Sequence, residues 1–364
     1  MKISAIRCRP VSVPMNPPIV SRSGRFDAMT YVLVDVATDE GLTGISYLWS
    51  FSSNGSRGLL AALAELNSVA MGADPADTDA LWAAMWKKMA QWGHYGLSII
   101  AMSAIDTACW DIKARAAGVP VSKLLNAGSR DSVDTYYSGG LWLVDDLDAL
   151  RDEAARARKQ GFLAAKMRIG RDSLDEDLEA IEAVRQGLGD GAGLMADANS
   201  GWTLSRARSA FTGLDPQQLA WIEDPLAQDD FAGHAALAEE FDTPVMFGEK
   251  AYGLLEFERI VALAAADHLM PDLQRVGGVS GWQAVQQLAA GHGLPVSSHL
   301  FPEFNVQLVA SASNGRYVEC MDWCAALFNE RLDVEAGRIS VPQRPGFGFS
   351  WNEDSVERFR DAGV

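Results

Sequence analysis

Little in this chain speaks for a disulfide scaffold, a membrane protein or a nucleic-acid binder. Cys8, Cys109, Cys320 and Cys324 are too few and too irregularly spaced for a disulfide framework or a two-pair zinc site, and reduced thiols in a cytoplasm fit them best. No stretch approaches the roughly 18 apolar residues of a membrane span, and Met1–Pro10 lacks the uninterrupted apolar core of a signal peptide. Export and membrane insertion are not expected. Positive charge is scarce: 31 Lys and Arg against 48 Asp and Glu leave a formal net charge of −17, which repels nucleic acid and anionic membranes. The expected partner is a small molecule, or one neutralised by a metal ion. Low-complexity sequence is missing too, and 48% hydrophobic with 22% charged residues is the composition of a globular protein with a sizeable core. A chain of 364 residues exceeds one ordinary core unless it forms a barrel or a pair of domains.

What is present divides into two textures. Tyr31–Ala37 and Leu42–Leu48 read as strands about the Asp39-Glu-Gly41 turn. Helical periodicity follows in Gly58–Met71, Asp77–Trp92 and Gly96–Ala117, the last with a 3.6-period stripe including Ile99, Met102, Ile105 and Cys109. Strands followed by helices predict an α+β domain over about residues 1–125.

Beyond it, short apolar runs alternate with helical segments such as Leu147–Gln160 and Leu174–Leu188. Eight runs can be counted: Val133–Ser138, Leu163–Arg168, Leu194–Asp197, Ala220–Glu223, Val245–Glu249, His268–Asp272, Val296–His299 and Tyr317–Glu319. Eight parallel strands close an α/β barrel, predicted over residues 126–320. Residues 321–364, with turns and short strands in Leu332–Val341 and the Pro- and Gly-rich Pro345–Phe349, are expected to complete the barrel and return to the first domain.

Asp197, Glu223 and Glu249 each end a predicted strand, and both separations are 26 residues. Barrel active sites lie on the face made by such strand ends, so the three carboxylates are expected to converge and to need a cation. Oxygen-only ligands suit Mg²⁺ or Mn²⁺. Lys166 and Arg168 share a face of the second strand, and Asp272, His299 and Glu319 end the sixth, seventh and eighth.

Lys166-Met-Arg168, Asp197-Ala-Asn199, Trp221-Ile-Glu223-Asp-Pro225, Gly248-Glu249, Pro271-Asp272, Gly277-Gly-Val-Ser-Gly-Trp282, Ser298-His299-Leu-Phe301 and Glu319 together resemble the mandelate racemase subgroup of the enolase superfamily. The resemblance runs nearly end to end. It implies a capping domain, a modified TIM barrel of (β/α)₇β type and one Mg²⁺ held by Asp197, Glu223 and Glu249. With Lys166, that ion would neutralise a substrate carboxylate as the α-proton leaves. Asp272 would orient His299 as the general base, Glu319 would donate a hydrogen bond to the carboxylate, and Ser138 and Asn199 match substrate-contacting positions.

One position departs from the pattern. Opposite His299 the family commonly places a lysine as a second base, and here the residue is Arg168. Deprotonating an arginine at pH 7 costs about 8 kcal/mol against about 5 for a lysine. A symmetric two-base racemase is therefore disfavoured. One-base chemistry is favoured, in which His299 removes the α-proton and protonates a departing β-hydroxyl, as in an acid-sugar dehydratase yielding a 2-keto-3-deoxy acid. Racemisation of a mandelate-type 2-hydroxy acid by Arg168 and His299 is the alternative, and a non-catalytic metal-binding barrel a remote one. Cycloisomerases and dipeptide epimerases carry a lysine where this chain has Asp272, which disfavours both.

The resemblance also predicts a flap at about residues 17–28 over the barrel mouth. Arg22 and Arg25 there point to polyhydroxy or diacid substrates, whereas Ile19, Phe26, Trp49, Phe51, Leu300 and Met321 match the apolar pocket that takes an aromatic acid. A homo-oligomer is expected on the same grounds.

Overall fold

The computed structural model describes residues 1–21 and 24–364. Its first unit is a three-stranded antiparallel sheet in the order β1 (Ile3–Ser21), β2 (Gly24–Thr38) and β3 (Thr43–Trp49). Helices α1 (Ser53–Ala70) and α3 (Leu97–Ala117) pack on it, and α2 (Thr78–Met89) packs against both helices. The long β1 has no counterpart among the strands read from sequence. Pro10 and Pro14 interrupt its pattern, and prolines are tolerated because β1 is an edge strand, with Pro10 opposite Val32 and Pro14 opposite Ala28.

The sequence periodicity of α3 predicts one apolar stripe, but the helix is buried nearly all round, from Ser98 to Ile112. It is sandwiched. One side meets β3 so closely that a Cβ on Gly44 would lie 2.0 Å from the Ala108 carbonyl oxygen. On the other, Asp106 accepts from the Ser280 backbone N–H at 3.0 Å and Asp111 from that of Phe347 at 2.8 Å. A helix apolar on one face only could not fill that position.

After the short α4 (Val121–Leu125), the second unit begins with β4 (Ser132–Tyr137). It continues as α5 (Leu147–Lys159), β5 (Ala164–Arg168), α6 (Leu174–Leu188), β6 (Gly193–Asp197), α7 (Leu204–Leu214), β7 (Ile222–Glu223), α8 (Phe231–Glu240), β8 (Val245–Phe247), α9 (Gly253–Ala262) and β9 (His268–Leu269). Then come α10 (Val279–Gly291), α11 (Pro302–Ser311) and β10 (Tyr317–Cys320). Strands β4 to β9 pair in parallel, and β10 pairs with β4. Residues 296–299 fill the remaining place through bridges Leu269 to Val296, Asp272 to His299 and Val296 to Gly315. Seven helices and eight strand positions make a closed (β/α)₇β barrel. The helices start where side chains cap them, as at α6, where Ser173 and Glu176 form a reciprocal capping box.

The barrel interior explains where functional side chains stand. Tyr136, Ala164, Met195, Trp221, Met246 and Met270 form one packed layer, with Tyr317 against it. Two residues beyond Tyr136, Ala164, Met195, Trp221, Met270 and Tyr317, on the same strand faces, come Ser138, Lys166, Asp197, Glu223, Asp272 and Glu319. The apolar layer is the floor of the site.

The remaining residues wrap both units. Hairpin β11 (Val334–Glu335) and β12 (Arg338–Ser340) pairs antiparallel with the outer edge of β4. Near α12 (Glu353–Arg358), Trp351 Nε1 donates to Asp35 at 2.7 Å and Ser12 N donates to the Phe359 carbonyl at 2.8 Å, tying the chain end to β1 and β2. No helix is long and apolar enough to cross a membrane among the described residues.

Candidate active site

A cavity of about 190 Å³ opens at the carboxyl ends of the barrel strands. Strand register sets its floor: Arg168 is the Cα partner of Asp197, and Asp197 that of Glu223, on three adjacent strands. Glu249 stands two residues past β8, turned inward by Gly248 at φ 129°, where a Cβ would lie 2.8 Å from Phe257.

Charge dominates this floor. Lys166 Nζ binds the Glu223 carboxylate, lies 2.9 Å from Glu319 Oε1 and 3.8 Å from Asp197 Oδ2. Asp197 also accepts from the backbone N–H of Asn199 at 2.7 Å and its amide at 2.9 Å. Glu223 Oε2 accepts from Trp221 Nε1 at 3.2 Å. Glu249 Oε1 and Oε2 are 3.3 Å from Lys250 Nζ and from His299 Nε2. With their oxygens turned onto cations and amides in this way, no three Asp, Glu, His or Cys side chains among the described residues converge on one point as they stand. The convergence expected from strand-end spacing is thus not met by the side-chain rotamers, although the backbone positions are adjacent.

The donor set nonetheless fits a hard divalent ion. Six carboxylates, Asp197, Glu223, Asp224, Glu249, Asp272 and Glu319, face four cations, Lys166, Arg168, Lys250 and Arg275, leaving an excess of two negative charges. Burial, reinforced by Asp197, Glu249 and Glu319, pushes the Glu223 carboxyl well above its ordinary range despite Lys166. Those charges are what an oxygen-ligated divalent cation relieves.

His299 has the hydrogen-bond geometry of a carboxylate-backed imidazole. Its Nδ1 lies 2.7 Å from Asp272 Oδ2, and a donated Nδ1–H leaves Nε2 as the acceptor. Asp272 is itself held by the Arg275 backbone N–H at 2.9 Å. Burial pulls the His299 pKa down, but Glu249 and then Asp272 more than offset this, so it is raised. Glu319 accepts from Ser138 Oγ at 2.7 Å and from Leu300 N at 2.8 Å. Burial raises its pKa, yet Lys166 and His299 bring it down to about 2. Both of these bonds have Glu319 as the acceptor.

Arg168 sits opposite, 4% exposed, with Nε 3.2 Å from Asp197 Oδ2 but out of line for a hydrogen bond. Its guanidinium lies 4.4 Å over the Trp142 ring, and Nη1 has no partner.

The flap residues divide. Ile19 and Phe26 pair across the β1–β2 hairpin and line the cavity with Trp49, Phe51, Leu300 and Met321. Arg25 does not: it is exposed and bonded to Asp27 at 2.9 Å, its charge satisfied by solvent and a neighbouring carboxylate. Arg22 lies outside the described residues. Ser138 is buried beneath Glu319 and does not line the cavity.

Sequence reasoning missed several neighbours. Lys250 bonds Asp224 and Ser200, both at 2.8 Å, and Arg275 donates to the Glu249 carbonyl at 2.8 Å. Adjacency to Glu249, Glu223 and Asp272 was their available signal. Trp142 and Trp323, in loops after β4 and β10, had none. Strain concentrates here too: Asn199, Ser200, Asp224, Leu300 and Phe301 have φ between 43° and 58°.

Comparison with known proteins agrees with this architecture. The N-terminal domain model of the mandelate racemase / muconate lactonizing enzyme family matches residues 3–126, and the enolase C-terminal domain-like model matches residues 149–355. L-talarate/galactarate dehydratase of Salmonella typhimurium is 32% identical over 348 residues, covering 95% of this chain and 87% of that protein. The structure of L-talarate dehydratase from Polaromonas sp. JS666, complexed with Mg and L-glucarate, superposes with a TM-score of 0.91 at 34% identity, covering 99% and 97% of the two chains. An enolase from Bradyrhizobium, complexed with magnesium and mandelic acid, gives a TM-score of 0.91 at 31% identity and 99% coverage of each chain. The chain belongs to the mandelate racemase / muconate lactonizing enzyme family of the enolase superfamily.

Proposed function

We propose that the protein is a Mg²⁺-dependent hydro-lyase that dehydrates a 2,3-dihydroxycarboxylate to a 2-keto-3-deoxy acid. Asp197, Glu223 and Glu249 would hold the Mg²⁺ (Mn²⁺ would serve the same ligands), which when bound supplies electrostatic stabilisation of negative charge on the substrate carboxylate. Lys166 adds a positive charge at the same end of the cavity. His299 takes the α-proton on Nε2 while Asp272 stabilises the imidazolium, then returns the proton to the β-hydroxyl leaving on the same face. Asn199 buttresses Asp197, and Glu319, bonded to Lys166, holds that ammonium in place.

The observation that carries this reading is the asymmetry across the cavity: a carboxylate-backed imidazole on one side and a guanidinium stacked on Trp142 on the other. A guanidinium keeps its proton at neutral pH, so proton traffic runs through His299 alone. The similar dehydratases support it. Racemisation of an aromatic 2-hydroxy acid is the second reading, favoured by the apolar wall of the cavity and by the mandelic acid complex of a similar enolase.

The two differ in product. Incubating the enzyme and Mg²⁺ with acid sugars and with mandelate-like acids should give a semicarbazide-trapped 2-keto acid, lost in His299→Asn. Inverted substrate without keto acid would support the racemase, and absence of α-proton exchange with every acid would leave a non-catalytic barrel. We also take the protein to be cytoplasmic, consistent with dispersed thiols, and a homo-oligomer, for which exposed Trp92, Tyr95 and Leu255 supply apolar surface.

A further inference from the structure

We propose that Trp142 and Trp323 build an aromatic subsite in the distal half of the cavity, and that the substrate is a 2,3-dihydroxy acid whose chain beyond C3 is aromatic or apolar rather than polyhydroxylated. The reaction type rests on the dehydratase reading; the subsite does not.

The cavity is chemically split. One end carries the charged floor, and the polar side chains near it are committed: Asn199 to Asp197, Lys250 to Asp224 and Ser200, Arg275 to Asp272 and the Glu249 carbonyl. The other end is a connected set of rings from three separate parts of the chain. Trp142 stacks on Trp323 at 6.3 Å and 25°, Trp323 meets the edge of Trp49 at 6.0 Å and 65°, and Trp49 lies 4.1 Å from Phe51. Leu300 and Met321 complete this wall. Its rings are incompletely buried, so they keep apolar surface for an occupant.

Hydrogen-bond capacity decides what that occupant is. Each substrate hydroxyl brings a proton that needs an acceptor. Among the described residues, the distal wall offers no side-chain acceptor, and its free polar atoms are donors: Trp49 Nε1, with Arg168 Nε and Nη1 at the border between the two ends. Arg168 is more than nine-tenths buried, and its guanidinium carbon lies over the Trp142 ring. Trp49 Nε1 and these Arg168 nitrogens are buried donors and give a substrate hydroxyl no acceptor. A further run of hydroxyls and a second carboxylate would instead meet rings. The wall is also preformed, since the Arg168 backbone N–H bonds the Leu141 carbonyl at 2.9 Å and Leu141 N bonds Glu153 at 3.1 Å, fixing the loop that carries Trp142.

For such a substrate the reaction balances: R–CHOH–CHOH–COO⁻ loses its α-hydrogen and β-hydroxyl as water, and the enol formed tautomerises to R–CH₂–CO–COO⁻. No oxidant or reductant is required.

Two measurements on the full chain with Mg²⁺ test the inference separately from the reading beneath it. The first is calorimetric binding of 3-phenyllactate, which has no β-hydroxyl to lose and so cannot follow this reaction, against lactate and galactarate. We expect 3-phenyllactate to bind at least 30-fold tighter than lactate, Trp323→Ala to weaken it at least tenfold, and Trp323→Phe to restore most of the loss. The second is turnover of 2,3-dihydroxy-3-phenylpropanoate stereoisomers, expected to yield phenylpyruvate with kcat/KM at least 100-fold above galactarate. Equal binding of 3-phenyllactate and lactate, or unchanged binding in Trp323→Ala and Trp142→Ala, overturns the subsite. Tight 3-phenyllactate binding with no 2-keto acid from either the phenyl acids or galactarate leaves the subsite standing and removes the dehydratase reading. Faster turnover of galactarate than of the phenyl acid overturns the substrate class.

Discussion

Replacing Asp272 with asparagine isolates the function of the His299 dyad from its packing. The carboxylate is fully buried, and its Oδ2 lies 2.7 Å from His299 Nδ1 while Oδ1 takes the Arg275 backbone N–H at 2.9 Å. Asparagine fills the same volume, so the cavity walls stay in place, but the negative charge bonded to Nδ1 of the imidazolium that forms during proton abstraction is lost. If the amide nitrogen faces Nδ1, the imidazole must also accept there and Nε2 is no longer the free base. A charge-assisted hydrogen bond is worth about 1.5–3 kcal/mol, and the whole general-base contribution about 10²- to 10⁴-fold. Asp272→Asn is therefore expected to lose about 10²- to 10⁴-fold in kcat/KM, roughly 3–5 kcal/mol of transition-state stabilisation. The assays are α-deuterium exchange by NMR and 2-keto acid formation, with circular dichroism as the control for folding. Because Asp272 acts through His299, Asp272→Asn/His299→Asn should be no slower than His299→Asn alone. Activity of Asp272→Asn within threefold of the parent, or losses that multiply in the double variant, would refute this account.

Three further outcomes follow from the geometry. Removing divalent ions with EDTA should abolish turnover, and Mg²⁺ in excess should raise the melting temperature, by about 2.7 kcal/mol of stability at 100 times its Kd; no thermal shift with Mg²⁺ would contradict the charge excess at the site. Asp106, buried between α3 and α10, has a pKa raised to about 7 by desolvation, although Ser280 donates to it. Its folded form thus holds a proton more tightly than its unfolded form, and that contribution is lost as pH rises from about 4 to 7. Urea unfolding at pH 5 and pH 7 should show Asp106→Asn gaining roughly 2 kcal/mol relative to the parent across that interval. Tyr47→Phe deprives the buried Glu303 carboxylate of a 2.7 Å donor and should cost about 1–3 kcal/mol, seen as a drop of a few degrees in melting temperature; an unchanged value would refute the importance of that bond.

Much of the barrel was written in local pattern. Strand-end position exposed the functional residues, while the floor layer two positions before them, as Met195 before Asp197 or Trp221 before Glu223, emerged only with the barrel interior. The equal spacing of Asp197, Glu223 and Glu249 reflects one strand, helix and loop per repeat, a length set by helix rise and sheet thickness. Arg168 was legible as a chemical departure because residue identity alone fixes its proton affinity.

Other features depended on which segments meet. Pro10 and Pro14 mask β1 until β2 leaves it on an edge, and α3 is buried all round only because a second unit covers the face its own sheet does not. Arg25 turns from the cavity to Asp27, a choice between nearly equal local partners. The rotamers that place Glu223 on Lys166 and Glu249 on His299 follow from balancing buried charges across seven strand ends. Trp142 and Trp323 lie 181 positions apart, and neither carries a periodic signal. Pairing of β10 with β4 brings their loops together, so the charged end was determined by sequence and the aromatic end by barrel closure.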